Sequence, residues 1–169
     1  MRPRFRVTRS VIPNLFTAMN LFSGFLSILN ASEGNYHYAA WLIIVAAVFD
    51  ALDGAVARLT KSSSELGVEL DSLSDIVSFG AAPAFLIYQT YLFSYQPLGV
   101  LISASLVLAG GFRLARFNVQ LVGFDKNYFS GLPIPISALT ISSFILGFYN
   151  IPGGFSSPYS DFVIPLVLI

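Results

Sequence analysis

Four aspartates, Asp50, Asp53, Asp71 and Asp75, sit in one stretch of an otherwise mostly apolar chain, and any fold has to find a place for them. The stretch reads FDALDGAVARLTKSSSELGVELDSLSD, two helix-compatible apolar runs on either side of a short polar turn at Thr60 to Ser64. Asp50 and Asp53 are three apart and Asp71 and Asp75 four apart, so on helices each pair projects from one face. Folding the chain back at the turn sets Asp53 opposite Asp71 and Asp50 opposite Asp75. An antiparallel hairpin therefore gathers all four carboxylates. Gly54 and Gly67 lie nearer the turn, where missing side chains leave room for close helix approach or for a ligand.

The surroundings make this cluster costly. Of 169 residues, 55% are hydrophobic and 11% charged, against about 25% charged in soluble domains, so the chain is expected to be an all-α polytopic membrane protein. A carboxylate at mid-bilayer costs roughly 2.5–3.5 kcal/mol on insertion scales, and clustered ones also repel. Oxygen-only ligands suit hard divalent ions such as Mg2+, Mn2+ or Ca2+, and carboxylates shared by two metals about 4 Å apart recur in phosphoryl transfer. The plainer alternative is solvated helix-end charges or an ion pair with Arg58. The chain has no cysteine, which removes disulfides and thiolate chemistry and leaves the redox compartment unread.

Spans are expected at about 11–30, 36–59, 64–94, 97–118 and 133–151, with an incomplete sixth at 160–169, in a single domain over 1–169. The basic start, MRPRFRVTRS, followed by an apolar run could be a signal peptide, but Val11 to Asn30 is long enough to span and lacks a small-residue cleavage site. Ser10, Asn14, Thr17, Gly24 and Ser27 fall on one helical stripe that would face other helices or a pocket. The third segment exceeds the bilayer core and must tilt, kink or project, with Gly80 and Pro83 as the places to bend. With the N-terminus inside, all nine Lys and Arg, including Arg58, Lys61, Arg113, Arg116 and Lys126, fall on the cytosolic side. The opposite side holds Glu33, His37 and Asp161. The aspartates then lie at the cytosolic ends of helices 2 and 3, out of reach of His37, so a base for the chemistry is expected to be an aspartate.

The pattern Asp50-x2-Asp53-Gly54-x2-Ala57-Arg58-x8-Gly67-x3-Asp71-x3-Asp75 resembles, without departure, the signature of the CDP-alcohol phosphatidyltransferases, integral membrane enzymes of phospholipid synthesis. The resemblance implies a bundle of about six membrane helices, two divalent ions (Mg2+ or Mn2+) held by the four aspartates together, and Asp75 as the base. It places Asp53, Gly54, Ala57, Arg58 and Gly67 near the cytidine nucleotide. From the residues alone, Arg58 is as well suited to pairing with the acids as to contacting phosphate. Asn14 and Thr17 are weaker nucleotide candidates, with interhelical hydrogen bonding as the alternative.

PNLFTAMNLFSGF, ELDSLSDIVSFGAAPA, RLARFN and FSGLPIP are similar to the subgroup that transfers the phosphatidyl group from CDP-diacylglycerol to L-serine. Arg113 and Arg116, three apart, could anchor the span on the positive side or grip a carboxylate or phosphate. The resemblance favours the grip and makes Arg113, Arg116 and Asn118 the candidate acceptor site. It also implies a homodimer and a prokaryotic cytoplasmic membrane, with membrane lipids and no nucleic acid among the partners. Members of the subgroup often carry further spans, and this chain stops short of them. Glycerol 3-phosphate, inositol phosphate or an archaeal ether-lipid substrate remain alternatives. A divalent-cation transporter is the rival from another class, weakened by the lack of polar groups in the outer halves of spans two and three.

Overall fold

A computed structural model describes residues 11–60, 65–122, 133–150, 154–155 and 163. Arg2, Arg4, Arg6, Arg9, Ser10, Lys61, Lys126 and Asp161, and the expected sixth span apart from Val163, lie outside the described residues. Helices α1 (Val11–Ser32) and α2 (Tyr36–Thr60) form an antiparallel pair whose connection turns at Gly34, at a φ of 83°. Next come α3 (Glu65–Asp75), a π-helical segment (Ile76–Ala81) and α4 (Ala82–Thr90), running as one continuous helix. A 3-10 turn (Leu92–Tyr95) leads into α5 (Pro97–Val122), and α6 (Ile134–Phe148) follows.

Among the described residues, four helices are long and apolar enough to cross a membrane: Pro13–Ser32, Tyr36–Thr60, Leu66–Thr90 and Pro97–Arg116. Helix α6 has 15 residues, about 22 Å of rise against a hydrocarbon core of about 30 Å. A short antiparallel ribbon, β1 (Tyr149–Asn150) with β2 (Gly154–Phe155), follows it. The all-α expectation had no strand here.

Small residues decide what packs closely. Ala39, Ala40 and Ala46 on α2 are fully buried, which lets α1 and α6 approach its backbone, and Ile43 fills the space between them. Phe79, Leu86 and Ile87 bring the π segment and α4 into the same core, where Ala138, Ile141 and Ile145 of α6 meet them. Leu15, Phe22, Trp41, Val48, Leu101 and Phe112 face outwards. Such faces would be wrong for water and suit hydrocarbon.

The segment expected to bend at Gly80 and Pro83 leaves regular helix there. Proline has no N–H and its ring crowds the carbonyl four residues back, which for Pro83 belongs to Phe79. The chain responds by widening: the Ala82 N–H donates to the Val77 carbonyl five residues back, and Pro83 occupies the first turn of α4. The widened turn begins directly after Asp75.

Two close approaches need glycine. A Cβ at Gly24 on α1 would lie 2.7 Å from Ser78 Cα, and one at Gly99 on α5 would strike the Leu92 backbone. Gly24→Val is therefore expected to push α1 off the π segment and cost about 1–3 kcal/mol. Gly147→Ala, with nothing within 4 Å, should cost nothing. Thermal unfolding in detergent checks this, and equal midpoints for the two variants would contradict it.

Candidate functional site

Helix α1 lies across α2 and α3 and sets how the aspartates meet. The Ser74 hydroxyl donates to the Thr17 carbonyl at 3.2 Å, and the Ser78 hydroxyl donates to the Asn20 carbonyl at 2.9 Å. A hydroxyl four residues after another on one helix thus reaches two carbonyls on its neighbour, fixing the register of the two helices. The side chains of those same two α1 residues then turn to the acids. Thr17 Oγ1 donates to Asp53 Oδ2, and Asn20 Nδ2 donates to Asp75 Oδ1 at 3.3 Å.

Asp50, Asp71 and Asp75 each offer a carboxylate oxygen, and these oxygens lie within 4.8 Å of one another. The hairpin count gathered four. Asp53, 7% exposed, is instead turned to Thr17 and stands outside that trio. Three like charges this close repel strongly, and repulsion grows as the local dielectric falls. Among the described residues no ion pair joins Arg58 to these acids. Three convergent carboxylates with no nitrogen or sulfur donor fit a hard divalent cation.

Beside the trio is a cavity of about 260 Å³. Helix α1 contributes Pro13, Asn14 and Thr17 to its wall, α2 contributes Asp50, Asp53, Gly54, Ala57 and Arg58, and α3 contributes Gly67, Val68 and Asp71. All of the positions singled out for the nucleotide are on this wall. A Cβ built at Gly54 would meet only the Arg58 guanidinium, at 3.5 Å, so Gly54 presents open surface. Asp75 is off the wall, one turn further along the helix.

The candidate acceptor residues are placed differently. Arg113 is half-buried, Arg116 is exposed, and neither is on the cavity wall. Asn118 Nδ2 donates to Ser72 Oγ at 2.9 Å, tying α5 to α3 one residue after Asp71. His37 lies at the other end of α2, edge-on to Tyr149 with ring centroids 6.1 Å apart.

Asn20 was missed in the sequence. It is fully buried, and its Oδ1 has no partner, a deficit that costs about 1–3 kcal/mol. A signal existed, because Asn20 falls three after Thr17 and four before Gly24 on the stripe already read as inward-facing.

The model of the family described as CDP-alcohol phosphatidyltransferase matches residues 10–168. The chain is 42% identical over 131 residues to a CDP-diacylglycerol–serine O-phosphatidyltransferase of Helicobacter pylori, covering 78% of this chain and 55% of that protein. It is 47% identical over 142 residues to an archaetidylserine synthase of Methanothermobacter thermautotrophicus (82% and 60%). A Saccharomyces cerevisiae CDP-diacylglycerol–serine O-phosphatidyltransferase is 40% identical over 163 residues (82% and 56%). The chain thus spans somewhat more than half the length of these three relatives.

If the trio is an ion site, its members work against the fold until an ion binds. In chelator, Asp71→Asn should be at least as stable as wild type, because one like charge is gone. Saturating Mn2+ should raise the wild-type unfolding midpoint, through a stabilisation of about 2.7 kcal/mol at a hundredfold excess over Kd, and leave Asp71→Asn nearly unmoved. Equal Mn2+ shifts in both proteins would exclude the site.

Proposed function

Because this chain belongs to the CDP-alcohol phosphatidyltransferase family, we propose that it transfers the phosphatidyl group of CDP-diacylglycerol to L-serine, giving phosphatidylserine and CMP. The observation that carries the reading is the junction of two features: three carboxylates within 4.8 Å of one another and a cavity walled by the rest of the signature. The relatives' names supply the serine and the CDP-lipid.

The family is divalent-metal dependent. We assign two Mg2+ or Mn2+ ions to Asp50, Asp71 and Asp75, with Asp53 completing the set from the cavity side. When bound, such ions neutralise pyrophosphate oxygens and draw charge from the phosphorus under attack. Gly54, Ala57 and Gly67 leave the wall low enough for a nucleotide, and Asn14 and Thr17 offer polar contacts from α1. Arg58, lying over Gly54, has a guanidinium suited to phosphate. At about 260 Å³ the cavity is close to the lower end of ligand sites, about 300 Å³, enough for part of the nucleotide. The lipid tails would then run along the apolar outer face of the bundle.

Asp75 accepts the proton of the serine hydroxyl as its oxygen attacks phosphorus. A new P–O bond forms to serine, the bond to the CMP oxygen breaks, and CMP leaves. The chain has no cysteine and His37 lies at the far end of α2, so direct displacement is favoured over a covalent phosphatidyl-enzyme. Arg113 and Arg116, with Asn118 beside them, are assigned to the serine carboxylate. The positive-inside rule puts this end in the cytosol, as a single catalytic domain within a homodimer of about six-helix protomers in a prokaryotic cytoplasmic membrane.

A second reading, in which the donor is an archaetidyl lipid, is supported by the 47% identity to an archaetidylserine synthase. It changes the lipid and keeps the site. CMP release by purified protein with Mn2+, comparing L-serine, glycerol 3-phosphate and inositol phosphate across both donor types, separates these readings. Serine-dependent release abolished by chelator and by Asp75→Ala is the expected result, and release with another acceptor would overturn the serine assignment. Arg113→Ala should raise the KM for serine by roughly tenfold, the scale of one charge-assisted hydrogen bond, and leave that for the CDP-lipid nearly unchanged. Equal effects on both would remove Arg113 from the acceptor site.

A further inference from the structure

Asn20 takes no part in the signature, yet it is the α1 side chain that touches the carboxylate trio. Its side chain is fully buried, its Nδ2 donates to Asp75 Oδ1, and its Oδ1 has no hydrogen-bond partner. An asparagine serving only to join helices would gain by satisfying both ends. The joining is already done by others: Ser74 and Ser78 donate to the Thr17 and Asn20 carbonyls, and Gly24 allows the close approach. A leucine of similar size would fill the same space with no orphaned oxygen. What only the amide provides is a donor fixed on one oxygen of Asp75.

We infer that Asn20 is a positioning residue. It pins Asp75 Oδ1 and so fixes the orientation of that carboxylate relative to Asp50 and Asp71. Thr17, one turn earlier on α1, holds Asp53 in the same manner. Helix α1, which contributes none of the four acids, thereby orients one acid from each of the two helices that do. Partners of this kind, outside the ligand set, commonly change metal affinity ten- to a hundredfold when removed.

The inference rests on the proposed ion site, and the test separates the two. Mn2+ binding to the purified full chain, read by the loss of the free-ion EPR signal, is compared in wild type, Asn20→Leu and Ser78→Ala. Ser78→Ala removes an α1 docking bond and leaves the Asp75 donor in place. The expected result is Mn2+ binding weakened about tenfold or more in Asn20→Leu and little changed in Ser78→Ala. In turnover, kcat should fall in Asn20→Leu while the KM for the CDP-lipid holds. Should Asn20→Leu fail to fold, Asn20→Ala, which introduces no bulk, is read the same way. Wild-type Mn2+ affinity in the Asn20 variants, or an equal loss in Ser78→Ala, would overturn the positioning role while leaving the ion site standing. No Mn2+ binding by wild type would overturn the ion site itself, and the inference with it.

Discussion

Repulsion among Asp50, Asp71 and Asp75 is the constraint on which the rest of the arrangement depends. Each acid sits on a helix long and apolar enough to cross a membrane, where a charge is costly and like charges are poorly screened. The protein brings their oxygens within 4.8 Å nonetheless. Helix α1 supplies the structural means, since two serine hydroxyls lock it to the helix bearing Asp71 and Asp75 while Thr17 and Asn20 address Asp53 and Asp75. Binding energy from a divalent ion would repay the electrostatic cost, so the site is built in a state that favours ligation.

The π-helical segment connects this site to the fold. It starts at the residue after Asp75 and absorbs the backbone defect that Pro83 introduces, and its Ser78 and Phe79 are buried against α1 and the core. Widening by one residue there lets α3 present its acids at one end while α4 continues as packed helix towards the other. At that far end Tyr36, Tyr149 and Phe155 stack edge to face, and Tyr91 joins them through Phe155. Such aromatics suit a membrane–water interface. The carboxylate trio and this aromatic cluster thus occupy opposite ends of α2.

Much of this was legible in the residues, and the exceptions have physical reasons. Spacings of three and four put each aspartate pair on one helical face, because that follows from helix geometry. Counting along a hairpin gives depth and says nothing about rotation around each helix axis, so it could not show that Asp53 turns to Thr17. Pro83 and Gly80 marked where the third span departs from regular helix. The response to them, a five-residue hydrogen bond, leaves no compositional trace. Asn20 stood on a recognised stripe, yet a polar residue in an apolar helix serves glue and catalysis alike until its partner is seen. Asn118 also bonds Ser72, a pairing between helices far apart in sequence that no local pattern encodes.

The most direct test is anomalous diffraction from crystals of the full chain grown with Mn2+ and CDP. Mn2+ peaks bounded by Asp50, Asp71 and Asp75 are expected, with the pyrophosphate of CDP reaching them from the cavity walled by Gly54, Ala57 and Gly67. Mn2+ bound elsewhere, or CDP ordered away from that cavity with the trio free of ions, would contradict it.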